Sequence, residues 1–514
     1  MKIERTKNAT RNIVWGIIEK IVNIVLPFVA RTVFIYILGS EYLGLNSLFT
    51  SILSVLSLTE LGIGSALVFS MYKPIAEDDP ETICALLNLY RRVYRYIGLI
   101  ITVAGLCIAP FITFFIKDKA YPADINIYFL YLMYLFNTVI SYFLCAYKLS
   151  LVRAHQRSDV TSKITTALTI CQQLLQIALI VLFKNYYAYV VVQPLFVVIS
   201  NLLNARKIDK MYPQYKCRGE ISNELKADIK KKIVGLLSYK VSGVIFSSLD
   251  PIIISTFLGL TQLAIYQNYY YIISAIEGFI VVFTASIVAG IGNSMATETK
   301  EKNYRDYSKV VFLNGWIISF CSVSFFCLLQ PFMRMWVGDK LMFPISTMGL
   351  IVFNFYVLKM TNISFVYREA AGLWWEDRIR PIVAAVVNLI LNVSLINIVG
   401  MNGVIIATLI CMFFINIPWG THILFDKYFE RSESEYYMFL LKHTGITAFI
   451  LLVTYGICML IGENSILQFV LRMIVCAIIP NLLLMVIYRN NENYHYAIDF
   501  SKKILGKIRA VVAR

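Results

Sequence analysis

The stretch Ile21–Gly39, IVNIVLPFVARTVFIYILG, decides the fold. It is almost wholly apolar and close to the length that an α-helix needs to cross a bilayer, about 20 residues. It also holds Arg31, one turn after Pro27. A charge at that depth costs at least about 2.5 kcal/mol, so an ionisable residue inside a span marks function by default.

Working outward, the same pattern recurs along all 514 residues. Hydrophobic residues make up 58% and charged residues 15%, with a mean hydropathy of +0.68. A soluble domain carries about 25% charged residues, so the composition places the chain in lipid. The first apolar run is too long for a secretory signal and lacks a small-residue cleavage site. Fourteen spans are expected, near 13–38, 43–72, 89–116, 125–147, 161–183, 186–206, 233–258, 262–293, 310–330, 344–367, 381–397, 401–425, 437–461 and 465–488.

Charge then orients the chain. Of the 47 Lys and Arg residues, only Lys117, Lys119, Lys184, Arg334 and Lys340 fall in the loops opposite the termini. Basic residues stay on the cytoplasmic side, so both termini and the basic loop 207–232 are expected there. The net charge of +16 is this bias and not a nucleic-acid signature. Lys20, Arg31, Lys240, Lys359 and Arg472 lie inside spans, with the acids Glu19, Glu60, Asp250 and Glu277.

A shift of 220 residues overlays spans 1 and 2 on spans 7 and 8. Lys20 meets Lys240, Leu38-Gly39 meets Leu258-Gly259, and Arg31 falls beside Asp250-Pro251. Each half then has six spans and begins in the cytoplasm, the pattern of parallel repeats that hold substrate between them. The expected architecture is an all-α polytopic membrane protein of about 14 transmembrane helices. Two six-helix lobes, 1–206 and 233–426, are related by a pseudo-twofold axis along the membrane normal. The linker 207–232 joins them, two extra helices occupy 427–489, and a tail follows at 490–514. The end of that tail, FSKKILGKIRAVVAR, reads as an amphipathic helix lying on anionic lipid.

The run RTVFIYILGSEYLGLNSLFTSILSVLSLTELGIGSALVFSMYKPIAE, Arg31–Glu77, resembles the N-terminal signature of bacterial polysaccharide flippases. These form the polysaccharide transporter branch of the multidrug/oligosaccharidyl-lipid/polysaccharide (MOP) superfamily. The resemblance extends to the span count and the two lobes. It implies a transporter that moves an undecaprenyl-pyrophosphate-linked oligosaccharide from the inner to the outer leaflet of the bacterial plasma membrane by alternating access. It also implies a cationic cavity between the lobes and, as in the related lipid II flippases, a lipid-tail groove shaped by the last two spans. Polysaccharide polymerase and glycosyltransferases are the expected protein partners.

The residues carry part of this independently. At about 100° per residue, Lys20, Pro27 and Arg31 share one face of span 1, with Asn23 to the side. That polar stripe is expected to meet protein or water. Lys20, Asn23, Arg31, Lys240, Lys359 and Arg472 are the candidate contacts for an anionic head group. Glu60, Asp250 and Glu277 are candidates for proton or sodium coupling, or else partners of the bases. Other readings stand beside these. Lys20, Lys240 and Arg31 could snorkel to the head groups, Arg31 could pair with Asp250, and Arg472 could pair with a further acid. Tyr266–Tyr271, YQNYYY, reads as an interfacial aromatic belt or as a wall for sugars.

Other classes are poorly served. There is no phosphate-binding loop, and the four histidines fall at span ends or in cytoplasmic segments without a zinc-type cluster. The ten cysteines, with no CxxC pair, read as buried small hydrophobes. No cofactor is expected. The short outer loops argue against an enzyme. A cation-coupled multidrug and toxin extrusion exporter is the alternative, disfavoured because buried bases outnumber buried acids.

Overall fold

The computed structural model describes residues 5–57, 63–463, 465–496 and 498, apart from the side chains of 5–14, 65, 231, 232, 234–242, 245–247, 282–290, 293 and 296. Among the described residues every regular element is helical. The tail segment 500–514 lies outside them, as does Glu60.

Ten helical stretches are long and apolar enough to cross a membrane, and a bent pair, Ile127–Phe143 with Ala146–Ala154, makes an eleventh. The three remaining expected spans fall on α2 (Ser40–Leu56) with α3 (Ile63–Ala76), on α9 (Asn223–Leu258) and on α10 (Leu260–Thr297). The chain is a multi-pass all-α membrane protein. Its exterior has the matching chemistry. On α1 (Arg5–Ile37), Ile17, Ile21, Val25, Val29 and Tyr36 are exposed, a lipid-compatible stripe.

Packing divides the chain into two compact units, Met1–Gln267 and Asn268–Arg514. In the first, α1 packs on α7 (Ser158–Phe183), and α7 on α8 (Tyr186–Met211). Helix α4 (Pro80–Ile108) packs on α5 (Ile127–Phe143), and α2 on α9. Its core centres on Phe49, Tyr131, Tyr134 and Tyr186. In the second, α11 (Lys300–Val337) is the axis. It contacts α12 (Ile345–Met360), α17 (Ser434–Ile461) and α18 (Ile466–Tyr488). Helix α14 (Arg380–Val399) pairs with α15 (Met401–Cys411).

The sequence repeat leaves a local imprint. Gly39 separates α1 from α2 with φ 107° and ψ 173°, and Gly259 separates α9 from α10 with φ 96° and ψ 173°. That backbone region is essentially closed to residues with a Cβ. Both turns close onto the preceding helix, through Gly39 N–H to the Phe34 carbonyl (3.4 Å) and Gly259 N–H to the Ile254 carbonyl (3.1 Å). At Gly44 a Cβ would sit 2.3 Å from the Leu260 carbonyl oxygen, so glycine is what lets the start of α2 approach the turn after α9.

The region 207–232 is mostly helical: it comprises the end of α8, the start of α9 and only eleven or so non-helical residues between. Those residues are strapped to the first unit. Asn88 donates to the Gly219 carbonyl (2.9 Å), Lys216 N–H meets Cys84 Sγ (3.1 Å), and Arg92 pairs with Glu220 (3.0 Å). His155 packs against Tyr212 with ring centroids 4.4 Å apart and the planes tilted by 34°. Burial holds its imidazole below the usual histidine pKa.

Candidate functional site

In the first unit the polar side of α1 faces away from its lipid-compatible stripe. On a helical wheel of about 100° per residue, the exposed apolar residues centre roughly 120° from Lys20, Pro27 and Arg31. Lys20 and Arg31 are half-buried, and Asn23 is exposed. Pro27 sits inside the helix, which continues through it. Arg31 is near enough to the Tyr189 phenol on α8 for a direct electrostatic interaction. Phe34, one turn on, packs edge-to-face on Tyr186 (5.4 Å) and Tyr189 (5.1 Å). From there a hydroxyl chain runs across the unit: Tyr186 to Tyr134 (2.8 Å), then Tyr134 to Asn46 Oδ1 on α2 (2.6 Å).

Asn46, Tyr134, Tyr186 and Tyr189 escape sequence reading. A tyrosine in a span is indistinguishable from a packing aromatic until its hydroxyl is seen to have a partner. Asp250 is buried on α9. Lys240 is on the same helix, with its side chain outside the described residues.

In the second unit Lys359 Nζ lies 3.3 Å from Glu277 Oε1, with both side chains mostly buried. Lys359 stands at the break between α12 and α13 (Asn362–Ala370), and Asn314 Nδ2 donates to its backbone carbonyl at 3.0 Å. The break therefore lies in mid-span, since the combined stretch Ile345–Ala370 is one apolar crossing.

Arg472 sits nearer a helix end than the middle of its span, two turns into α18. It has an acidic partner: Nη1 is 3.4 Å from Glu463 in the loop before α18. Glu463 also pairs with Arg334, which holds Asp339 at 2.8 Å. Two histidine and aromatic placements differ from expectation as well. His443 is buried on the inner face of α17, hydrogen-bonded to Ser319 (2.9 Å) and the Tyr488 hydroxyl (2.7 Å). Sequence conceals this because its partners come from other helices, α11 and α18. Tyr269 of the YQNYYY run is fully buried, bonded to Gln330 (2.9 Å), so this ring belongs to the core and not to a belt. Cys107 and Cys171 are exposed, against the reading of all ten cysteines as buried; apolar exposure is tolerated where lipid is the solvent.

A buried ionic knot joins α13 to α14. Asp377 receives Arg380 through two bonds (2.6 and 2.7 Å) and Arg368 Nε at 3.0 Å. All three side chains are buried. The fourth-to-fifth span connection of the first half carries a smaller version, Arg157 to buried Asp159 at 2.9 Å.

These features define a class: a helical membrane protein whose charges lie inside apolar spans, each held by other protein groups where a partner is seen. Residues 9–289, more than half of the chain, match the family described as polysaccharide biosynthesis protein, and the chain belongs to that family. Its fold is that of the MOP superfamily. It is similar to the lipid II flippase MurJ in an inward closed conformation, with a TM-score of 0.67 and 15% identity over 93% of this chain and 99% of that one. It is also similar to an inward-facing multidrug resistance MATE family transporter, with a TM-score of 0.60 and 16% identity over 78% of this chain and 93% of that one. A third similarity is to a MOP superfamily transporter from Pyrococcus furiosus, with a TM-score of 0.52 and 15% identity over 83% of this chain and 97% of that one. No curated protein sequence matches the chain.

Proposed function

We propose that the protein is a flippase that carries an undecaprenyl-pyrophosphate-linked oligosaccharide from the inner to the outer leaflet of the bacterial plasma membrane, by alternating access and not by chemistry on its cargo. The observation that carries this reading is Arg31. It lies inside the family-matched region, half-buried, on the side of α1 away from the helix's exposed apolar residues. A pyrophosphate needs such a group, because guanidinium holds phosphate oxygens through parallel hydrogen bonds. The polyprenyl tail stays in lipid while the charged head crosses, so the protein has to offer cations at depth and a sideways opening. The distribution of Lys and Arg supports a cytoplasmic position for both termini and the loop 207–232. Polymerase and glycosyltransferases are the proposed partners, since they make and consume such a lipid.

The cation-exporter alternative is weakened by Glu277. An acid that such an exporter would use for a cation is instead bridged by Lys359. The decisive experiment reconstitutes purified protein in proteoliposomes with a fluorescent undecaprenyl-pyrophosphoryl sugar in the inner leaflet. Appearance of the sugar at the outer leaflet, dependent on the protein, is expected. Transport of an organic cation with no movement of the lipid-linked sugar overturns the reading.

A further inference from the structure

We propose that Cys327, Cys458 and Cys476 form a three-sulfur site for a soft divalent metal ion, of the Zn(II) or Cd(II) type, that staples α11 to the last two helices. The three residues come from three different helices: α11, α17 and α18. Their sulfurs all lie within 4.8 Å of one another, and every one of the three residues is at most 1% exposed. Three sulfurs around an ion with metal–sulfur bonds of about 2.3 Å stand about 4 Å apart, so closure asks for movements of only a fraction of an ångström to about one.

The surroundings fit a bound ion better than a packed apolar cell. Arg472 lies one turn before Cys476 on the same inward face of α18, 3% exposed, and its Nε is buried with no hydrogen-bond partner. Its guanidinium interacts electrostatically with both Cys458 and Cys476. Thr454 lies one turn before Cys458 on the inward face of α17, fully buried, and its Oγ1 also lacks a partner. Pro480, inside α18, removes the amide that would otherwise bond the Cys476 carbonyl. The three thiols share one apolar cluster with Val323, Ile450 and Leu484, and the residues that carry the orphaned Nε and Oγ1, Arg472 and Thr454, lie one helical turn from Cys476 and Cys458.

Ligand type and charge select the ion. Thiolates favour soft metals over Mg(II) or Ca(II). Binding releases three thiol protons to water, and a dication with three thiolates carries one net negative charge. Arg472 offers the compensating positive charge. Its acidic partner Glu463 is one-third exposed and shared with Arg334, so the guanidinium is only partly neutralised. Thr454 Oγ1 or the Cys476 carbonyl can complete a fourth position.

The test uses full-length protein in detergent under argon, with the other seven cysteines changed to serine or alanine, and Cd(II) alone as the probe. One Cd(II) per chain is expected, with the ultraviolet charge-transfer band of cadmium–thiolate bonds and a higher melting midpoint. Cys458→Ser removes the band. Arg472→Gln keeps the band and weakens binding about tenfold or more, as the loss of a group supporting the ligands does. Monodispersity on gel filtration checks folding, and the unsubstituted chain run in parallel guards against damage by the background changes. Folded protein that takes up no Cd(II), or whose uptake is unchanged by Cys458→Ser, overturns the proposal and leaves three core thiols. Unchanged affinity in Arg472→Gln overturns the charge argument that selects a dication.

Discussion

Arg31 and Lys359 are both bases inside spans, yet their surroundings separate their roles. Lys359 has an acid at 3.3 Å; removing either partner leaves a mostly buried charge uncompensated. Lys359→Met or Glu277→Gln alone is expected to destabilise the protein by about 1–3 kcal/mol, below the range for fully buried pairs because both side chains are partly exposed. The double substitution should regain most of that loss in a thermal melt. If flipping returns with the stability, the pair is structural; if it does not, Lys359 touches the cargo. Arg31 stands near a phenol, Tyr189, close enough for a direct electrostatic interaction. Arg31→Lys is expected to keep partial export and Arg31→Ala to lose more than nine-tenths of it, in complementation of a flippase-deficient strain with expression checked by immunoblot. Full recovery in Arg31→Ala with Asp250→Ala would reduce Arg31 to the partner of Asp250. The two bases were both visible in sequence as charges in apolar runs. Glu277 was visible as a possible partner of the bases, but which base it meets was not, and Tyr189 was not visible at all, because Glu277 and Tyr189 lie 82 and 158 residues away from Lys359 and Arg31 and only folding brings them near.

At the scale of elements, the two glycine turns were the most legible features. Gly39 and Gly259 stand out once the chain is shifted on itself, and both adopt the same backbone conformation. Nothing lies within 4 Å of a Cβ built on Gly39, so its cost of substitution is conformational alone. Gly39→Ala is expected to cost about 1–3 kcal/mol. Gly39→Asn should fare no better, since ψ of 173° is far from the left-handed helical region that asparagine tolerates. Equal melting midpoints for wild type and both variants would remove that argument. Asp79 caps α4 ahead of Pro80, accepting the Thr82 amide at 3.0 Å, and those bonds hold its carboxyl below its ordinary pKa. A carboxylate with a lowered folded-state pKa contributes stability above its unfolded value, and that contribution disappears as pH falls through the folded one. Protection of the first turn of α4 from hydrogen exchange should thus hold from neutral pH to about 4 and drop below it. Asp79→Ala should lose about 1 kcal/mol of it at pH 7. What sequence could not reveal at this scale is convergence. The cysteines of α11, α17 and α18 look scattered at positions 327, 458 and 476, and only the inward faces of three packed helices bring them together.

Over the whole molecule, two divisions of the chain coexist. The repeat expected from sequence divides it near 207–232, while packing divides it within α10, at Gln267. The reason is that α9, which opens the second half in sequence, packs on α2 of the first half, with Gly44 admitting the turn at Leu260. If the chain alternates between two faces, as proposed, it has to trade such contacts. Sidedness is independent of that exchange and can be tested directly. In a version without native cysteines, Ala120→Cys sits in an exposed loop after the 3-10 turn that ends α4's crossing, and Glu220→Cys sits in the exposed strap between α8 and α9. An impermeant maleimide applied to intact spheroplasts should label the cysteine at 120 and spare the one at 220 until the membrane is opened. Loss of the Arg92 bridge in Glu220→Cys is of little consequence, because exposed ion pairs contribute at most about 1 kcal/mol. Labelling at 220 in sealed cells would invert the protein. The Lys- and Arg-rich side would then face outward, and a head group delivered from the cytoplasm would meet Arg31 from the end of α1 opposite to the one proposed.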